Sequence, residues 1–234
     1  MANGTEHTIK AFDDEIVALR GLIAEMGGRA EAAIEQAMQA LVRHDLETAR
    51  RIVAEDQLID EIEAKVERLA VQIIALRAPL ADDLREVVAA LKIAGVIERI
   101  GDYAKNIARR TPLIGGRHTV EALSVLPSMA TLAVDMVRGA LDAFAARDWQ
   151  AAVRVCDDDR RVDDFYNSIF RTLVTFMMEN PATIGQAAHL LFVAKNLERV
   201  GDHATNVAEM VYYAARGTPM PERERGGDED SVES

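Results

Sequence analysis

Glu98-Arg-Ile-Gly-Asp-Tyr-Ala-Lys-Asn-Ile-Ala108 and Glu198-Arg-Val-Gly-Asp-His-Ala-Thr-Asn-Val-Ala208 are two nearly identical stretches, one hundred residues apart in this chain. Seven of their eleven positions carry the same residue. So dense a match indicates an internal duplication, in which one structural unit occurs twice. The retained residues are mostly polar or small, so core packing alone does not account for them.

The sequence around the two stretches repeats in the same order. Asp56-Gln-Leu-Ile-Asp60 in the first half corresponds to Asp159-Arg-Arg-Val-Asp163 in the second. Asp45 and Asp148 stand at matching positions as candidate helix caps. Each half therefore predicts three helices: a long first helix, a second with Asp-x-x-x-Asp, and a third with Glu-x-x-x-Asp.

Apolar residues recur at helical spacing along almost the whole chain, which predicts an all-α protein. Short connections favour antiparallel neighbours, so we predict six helices in two tandem three-helix bundles. The predicted helices cover about residues 9–43, 46–77, 79–110, 119–146, 149–178 and 181–216. The predicted units are a first repeat at 8–110, a linker at 111–118, a second repeat at 119–216 and a disordered acidic tail at 217–234.

Charge and composition exclude several classes of partner. The 234-residue chain has a formal net charge of −12, which disfavours nucleic acids and anionic membranes as direct partners. Cys156 is the only cysteine, so no internal disulfide forms and a reducing compartment is expected. The sequence shows no apolar run long enough to span a bilayer and no secretion signal at its start. We therefore expect a cytoplasmic protein.

Acidic side chains form stripes on the predicted helices, because residues four apart lie on one helix face. The carboxylates are expected on the side of the helix away from the core, with Asn106 and Asn206 continuing the stripes. Repeated like charges are either a solvated surface or a cation site, and hard oxygen ligands suit metal ions. The candidate metal ligands are Asp56, Asp60, Glu98 and Asp102 in one site and Asp159, Asp163, Glu198 and Asp202 in the other.

Gly101 and Gly201 lie in mid-helix, where glycine is unfavourable, and indicate close approach of a neighbouring helix or of a ligand. Tyr103 and His203 occupy the same position in the two motifs, which favours packing over metal ligation for the histidine. The sequence contains no nucleophile motif and no glycine-rich phosphate loop. No catalytic residue is therefore predicted.

The duplicated motif, with its flanking Arg, Gly and Asn and its partner Asp pairs, resembles the PhoU family of phosphate-signalling proteins from about residue 8 to 216. The resemblance implies an all-helical cytoplasmic protein, often a homodimer. It implies a negative regulator of the phosphate-starvation response that links the phosphate ABC transporter to a sensor histidine kinase. It also implies metal ions on the acidic motifs, with iron, manganese, magnesium and zinc left open.

Two other functions remain open from the sequence. The first is a carboxylate-bridged di-metal enzyme on a helical bundle, a class that normally uses Glu-x-x-His. None of the five histidines has a glutamate three residues before it, which argues against this function. The second is a structural scaffold whose acidic faces are simply solvated.

Overall fold

The computed structural model describes residues 2–114 and 124–221, with side chains described from residue 11 onward. All regular structure in these two segments is helical, as the sequence predicts. The α-helices are α1 (Ala2–Arg43), α2 (Leu46–Glu55), α3 (Gln57–Arg77), α4 (Ala81–Ala108), α5 (Leu126–Ala146), α6 (Trp149–Glu179) and α7 (Ile184–Arg216). Short 3-10 turns at Thr111–Leu113 and Pro181–Thr183 follow α4 and precede α7.

The six predicted helices appear as seven because the second one is interrupted at Asp56. This residue separates α2 from α3, yet its backbone keeps right-handed helical angles. The corresponding helix of the second half, α6, runs through Asp159 without a break. The interruption is therefore a feature of the first half alone, and it falls on a candidate ligand.

The helix ends follow local chemistry at most positions. Asp45 accepts hydrogen bonds from the backbone N–H groups of Glu47 and Thr48, which confirms the predicted cap of α2. Asp148 caps α6 in the same way. The start predicted at Pro79 is two residues early, because Ala78 has a left-handed conformation (φ 46°) and α4 begins only at Ala81.

The two three-helix units share one hydrophobic core. Within that core, α4 packs against α7 and α1 packs against α5, so each half covers apolar surface of the other. Four isoleucines of α4 are fully buried in this core: Ile93, Ile97, Ile100 and Ile107. At the crossing of the two halves, the Tyr103 ring meets the His203 ring edge to face, with centroids 5.2 Å apart.

The predicted linker at 111–118 lies outside the described residues from position 115 onward, and so does the predicted tail from position 222 onward. In the described remainder, Thr111 is buried and Gly217 ends α7 in a left-handed conformation (φ 72°). This conformation is accessible to glycine without strain.

Candidate functional site: two carboxylate stripes

The structure places each predicted group of carboxylates on two neighbouring helices. The first stripe consists of Asp56, Asp60, Glu98 and Asp102, on the α2–α3 junction, α3 and α4. The second stripe consists of Asp159, Asp163, Glu198 and Asp202, on α6 and α7. Side chains of both stripes are half-buried or exposed, as the helical periodicity predicts.

Glycine brings the paired helices together at the same point in both halves. A Cβ atom on Gly101 would lie 2.8 Å from Ile59 Cδ1 and 3.6 Å from an oxygen of Asp56. A Cβ atom on Gly201 would lie 3.3 Å from Val162 Cγ1 and 3.6 Å from an oxygen of Asp159. The glycines therefore serve helix packing, and this packing sets one aspartate of each stripe against the neighbouring helix.

Lys105 lies inside the first stripe. Its ammonium contacts Asp56 and lies 2.5 Å from Asp102 Oδ1, so it bridges α4 to the α2–α3 junction. The side chain of Asp56 is 10% exposed and that of Lys105 is 19% exposed, so the pair is largely removed from solvent. The sequence analysis did not predict a role for Lys105. A comparison of the two motifs marks this position, because the first motif has a charged lysine where the second has the neutral Thr205.

Burial and like charges raise the pKa of two carboxylates in the first stripe. For Asp60, desolvation acts first and the Asp56 charge second, while Lys105 partly offsets both. For Glu98, desolvation raises the pKa, followed by the charges of Asp102, Glu63 and Asp60. Burial lowers the pKa of the Lys105 ammonium, but its hydrogen bonds to Asp102 and Asp56 reverse this effect and raise it.

Glu63 is a further member of this surface that the sequence did not point to. Its carboxylate lies 3.4 Å from the position a Cβ atom on Gly95 would occupy. Desolvation and the neighbouring Asp60 charge raise its pKa. The repeat gave no signal for it, because the corresponding residue of the second half is Tyr166.

A pocket of about 190 Å³ opens beside Asp56, bordered by Gly101, Ile59 and, on α1, Arg29. The guanidinium of Arg29 is held by Glu25 one turn earlier on the same helix. Small solutes can therefore reach Asp56, at the edge of the first stripe, through this pocket.

The second stripe has different polar neighbours. Lys195 lies 2.5 Å from Glu198 Oε1, one turn away on α7. The other oxygen of Glu198 is buried without a hydrogen-bond partner. Thr205, at the position of Lys105, donates its hydroxyl proton to the backbone oxygen of Asp202 at 2.7 Å. Lys195 thus lies beside Glu198 in the second stripe, whereas Lys105 lies beside Asp56 and Asp102 in the first.

The carboxylates are hard donors of the type that Mg²⁺, Mn²⁺ and iron accept. Within residues 11–114 and 124–221, however, no three Asp, Glu, His or Cys side chains lie close enough to ligate one ion together. In the first stripe, an ammonium already lies between Asp56 and Asp102. Neither stripe in this arrangement therefore fits a metal ion. The first holds an ammonium between its carboxylates, and the second offers only one buried Glu198 oxygen without a hydrogen-bond partner.

His203 makes packing contacts of the kind the sequence favours. Its Nδ1 lies 2.9 Å from the backbone oxygen of Arg199, and its ring meets Tyr103. Desolvation lowers its pKa, and the charges of Arg99 and Arg199 act in the same direction. The imidazole therefore favours its neutral form at the contact between the halves.

No helix in the described segments is long and apolar enough to cross a membrane. The single cysteine, Cys156, is half-buried, with its sulfur 3.9 Å from the sulfur of Met220.

In the part of the chain that the structure describes, all regular structure is helical, a three-helix unit occurs twice and each half carries an acidic stripe, which defines a class of duplicated helical-bundle proteins. The sequence model of the PhoU domain matches it twice, at residues 23–111 and 126–211. A phosphate-specific transport system accessory protein PhoU homolog from Zymomonas mobilis is 53% identical over 95% of this chain and 94% of its own. A PhoU homolog from Caulobacter vibrioides is 44% identical over 92% of this chain and 94% of its own. The chain belongs to the PhoU family.

Two solved structures share the fold. The crystal structure of PhoU from Pseudomonas aeruginosa has a TM-score of 0.84 and 36% identity, and it covers 88% of this chain and 100% of that one. PhoU from Streptococcus pneumoniae also has a TM-score of 0.84, at 24% identity, over 90% of this chain and 100% of that one. The same helical architecture therefore persists at low sequence identity.

Proposed function

We propose that this protein is a negative regulator of the phosphate-starvation response that acts as an accessory protein of a phosphate-specific transport system. The observation that carries the proposal is the 53% identity to an accessory protein of that name over nearly the full length of both chains. The duplicated motif of the candidate site supports it, since the PhoU domain matches around both copies.

The proposed mechanism is non-enzymatic. The protein links the phosphate ABC transporter, through its ATPase subunit, to a sensor histidine kinase, and holds the kinase in its off state when phosphate is plentiful. It acts in the cytoplasm as a homodimer and reaches the membrane through these protein partners. An adaptor shifts a two-state kinase only through differential affinity for the two states, so the proposal requires tighter binding to the off state.

Deletion of the gene tests the regulatory role. The deletion strain is expected to keep phosphate-starvation genes active in phosphate-rich medium, and a reporter of one such gene measures this. Complementation with the intact gene is the control and restores repression. Normal repression in the uncomplemented deletion strain would contradict the proposal.

The relay mechanism has a separate test. We expect that the isolated protein does not bind orthophosphate in the micromolar range without added metal, as measured by titration calorimetry. Micromolar binding would show that the protein senses phosphate itself. The regulatory role would then stand, and the relay mechanism would fail.

Metal binding by the stripes is a second part of the proposal. It concerns both stripes, whose carboxylates have to move closer together to ligate one ion, and in the first stripe Lys105 has to withdraw as well. Iron, manganese, magnesium and zinc are the candidate ions. Elemental analysis of protein purified without chelator, beside a variant carrying Asp102→Asn and Asp202→Asn, provides the test. The variant is expected to retain less metal, and equal contents would refute metal binding.

A further inference from the structure

One difference between the two stripes places a charged side chain among the carboxylates of the first. The repeated motif places Lys105 in the first stripe and Thr205 in the second, each between an alanine and an asparagine that both motifs share. The ammonium of Lys105 contacts Asp56 and lies 2.5 Å from Asp102. The hydroxyl of Thr205 is neutral and donates to the backbone of its own helix.

The location of the ammonium matters because it joins two helices. Asp102 is one turn from Lys105 on α4, whereas Asp56 is at the junction of α2 and α3. An ion that drew these two carboxylates together would occupy the space between them, and that space holds the lysine nitrogen. Close packing at Gly101 keeps the two helices near each other and limits room for a second cation.

The pair is also well shielded, since the Asp56 side chain is 10% exposed and that of Lys105 is 19% exposed. Salt screens partly buried pairs much less than exposed ones. A dissolved cation has to displace the Lys105 ammonium from Asp56 and Asp102, and this ammonium is covalently tethered and partly dehydrated. A tethered group has a high effective concentration at its partner.

We infer that Lys105 is the built-in counter-cation of the first stripe and that it excludes divalent metal ions from Asp56 and Asp102. The first stripe is then a structural ion cluster between α4 and the α2–α3 junction. A divalent ion binds there only when the lysine is removed or swung away. This inference rests on the proposed function only in taking a divalent metal ion as the ligand that the carboxylates could bind.

Substitution of Lys105 by threonine tests the inference, because threonine is the residue at the corresponding position of the second half, Thr205. Lys105→Thr is compared with the parent protein and with Lys92→Thr, which removes a lysine from an exposed position of the same helix. A double variant, Lys105→Thr with Asp102→Asn, removes the proposed ligand as well. Titration calorimetry with Mn²⁺ counts the ions bound, and circular dichroism melting checks that every variant is folded.

Lys105→Thr is expected to bind one Mn²⁺ more per chain than the parent, or the same number about tenfold more tightly, because the repulsion of a unit charge a few Å away is removed. Lys92→Thr is expected to match the parent, and the double variant to lose the gain. A folded Lys105→Thr that binds no more Mn²⁺ than the parent overturns the inference. The proposed metal binding by the second stripe is measured in the parent alone, so the two failures are distinguishable.

Discussion

At the scale of single residues, Glu98 shows how burial and like charges in the first stripe destabilise the folded state. Its carboxylate is half-buried, Asp102 lies one turn away, and Glu63 and Asp60 face it from α3. Burial and these charges raise its pKa, so the folded protein binds a proton at Glu98 more readily than the unfolded chain does. Stability therefore falls as pH rises from the ordinary glutamate pKa through the raised value, and it stays lower at neutral pH.

We expect Glu98→Gln to raise the free energy of unfolding by about 0.5 kcal/mol at pH 7, because a like-charge neighbour is removed from a helix surface. The gain is expected to shrink at pH 4, where protonation already neutralises Glu98. Urea unfolding at the two pH values measures the difference. Glu209→Gln, at an exposed position of α7, is the control and is expected to leave stability unchanged. Lower stability of Glu98→Gln at pH 7 would contradict the argument.

At the scale of elements, the contact between α1 and α5 depends on one of two adjacent glycines. A Cβ atom on Gly27 would lie 2.2 Å from Leu141 Cδ1, whereas a Cβ atom on Gly28 would meet nothing within 4 Å. Both glycines lie inside the uninterrupted helix α1. Alanine therefore has the same local benefit at both positions, but only at Gly27 does its Cβ atom clash with the neighbouring helix.

Gly28→Ala is expected to stabilise the protein by about 0.5–1 kcal/mol, since alanine has the better helix propensity. Gly27→Ala is expected to destabilise it by about 1–2 kcal/mol net, because overpacking against Leu141 outweighs that benefit. Thermal and urea unfolding of the two variants supply the comparison. Equal effects of the two substitutions would contradict the predicted overpacking and show that the Leu141 side chain rotates away at little cost.

The helix ends and the carboxylate stripes show which structural features the sequence predicts and which it does not. The caps at Asp45 and Asp148 are predictable, because the aspartate and the N–H groups it accepts from are three residues apart at most. The stripes are predictable for the same reason, since helical periodicity fixes which carboxylates share a face. The late start of α4 is not predictable, because the left-handed Ala78 is an alanine and carries no local signal.

The ion pair in the first stripe depends on the register of α3 against α4, which no local rule supplies. Lys105 contacts Asp56, a residue 49 positions away in sequence. A comparison of the two motifs position by position marks Lys105 as the charged exception, so the residue was detectable but its partner was not. Glu63 lacked even that signal, because the repeat has Tyr166 in its place.

At the scale of the whole molecule, ion pairs to a buried carboxylate join the halves in addition to the shared core. Glu86 of α4 has a side chain that is 4% exposed. Its carboxylate accepts a hydrogen bond from Arg20 of α1 at 2.5 Å and forms an ion pair with Arg147, at the turn between α5 and α6. Arg147 belongs to the second half and Glu86 to the first, so the pair crosses the boundary between them.

We expect Glu86→Ala to lower the free energy of unfolding by about 1–2 kcal/mol. Arg20 and Arg147 lose a buried hydrogen-bonding partner, but their side chains are 30% and 48% exposed and remain partly solvated without it. Glu209→Ala, at the exposed control position, is expected to have little effect. Trp149, the only tryptophan, lies at the start of α6 and reports on the second half through its fluorescence, while circular dichroism follows all helices. In urea, both signals are expected to change at one midpoint in the parent and at one lower midpoint in Glu86→Ala, because a single core unfolds as one cooperative unit. Separate midpoints in the parent would show that the duplicated units fold independently, and the ion cluster at Glu86 would then be a contact between two domains.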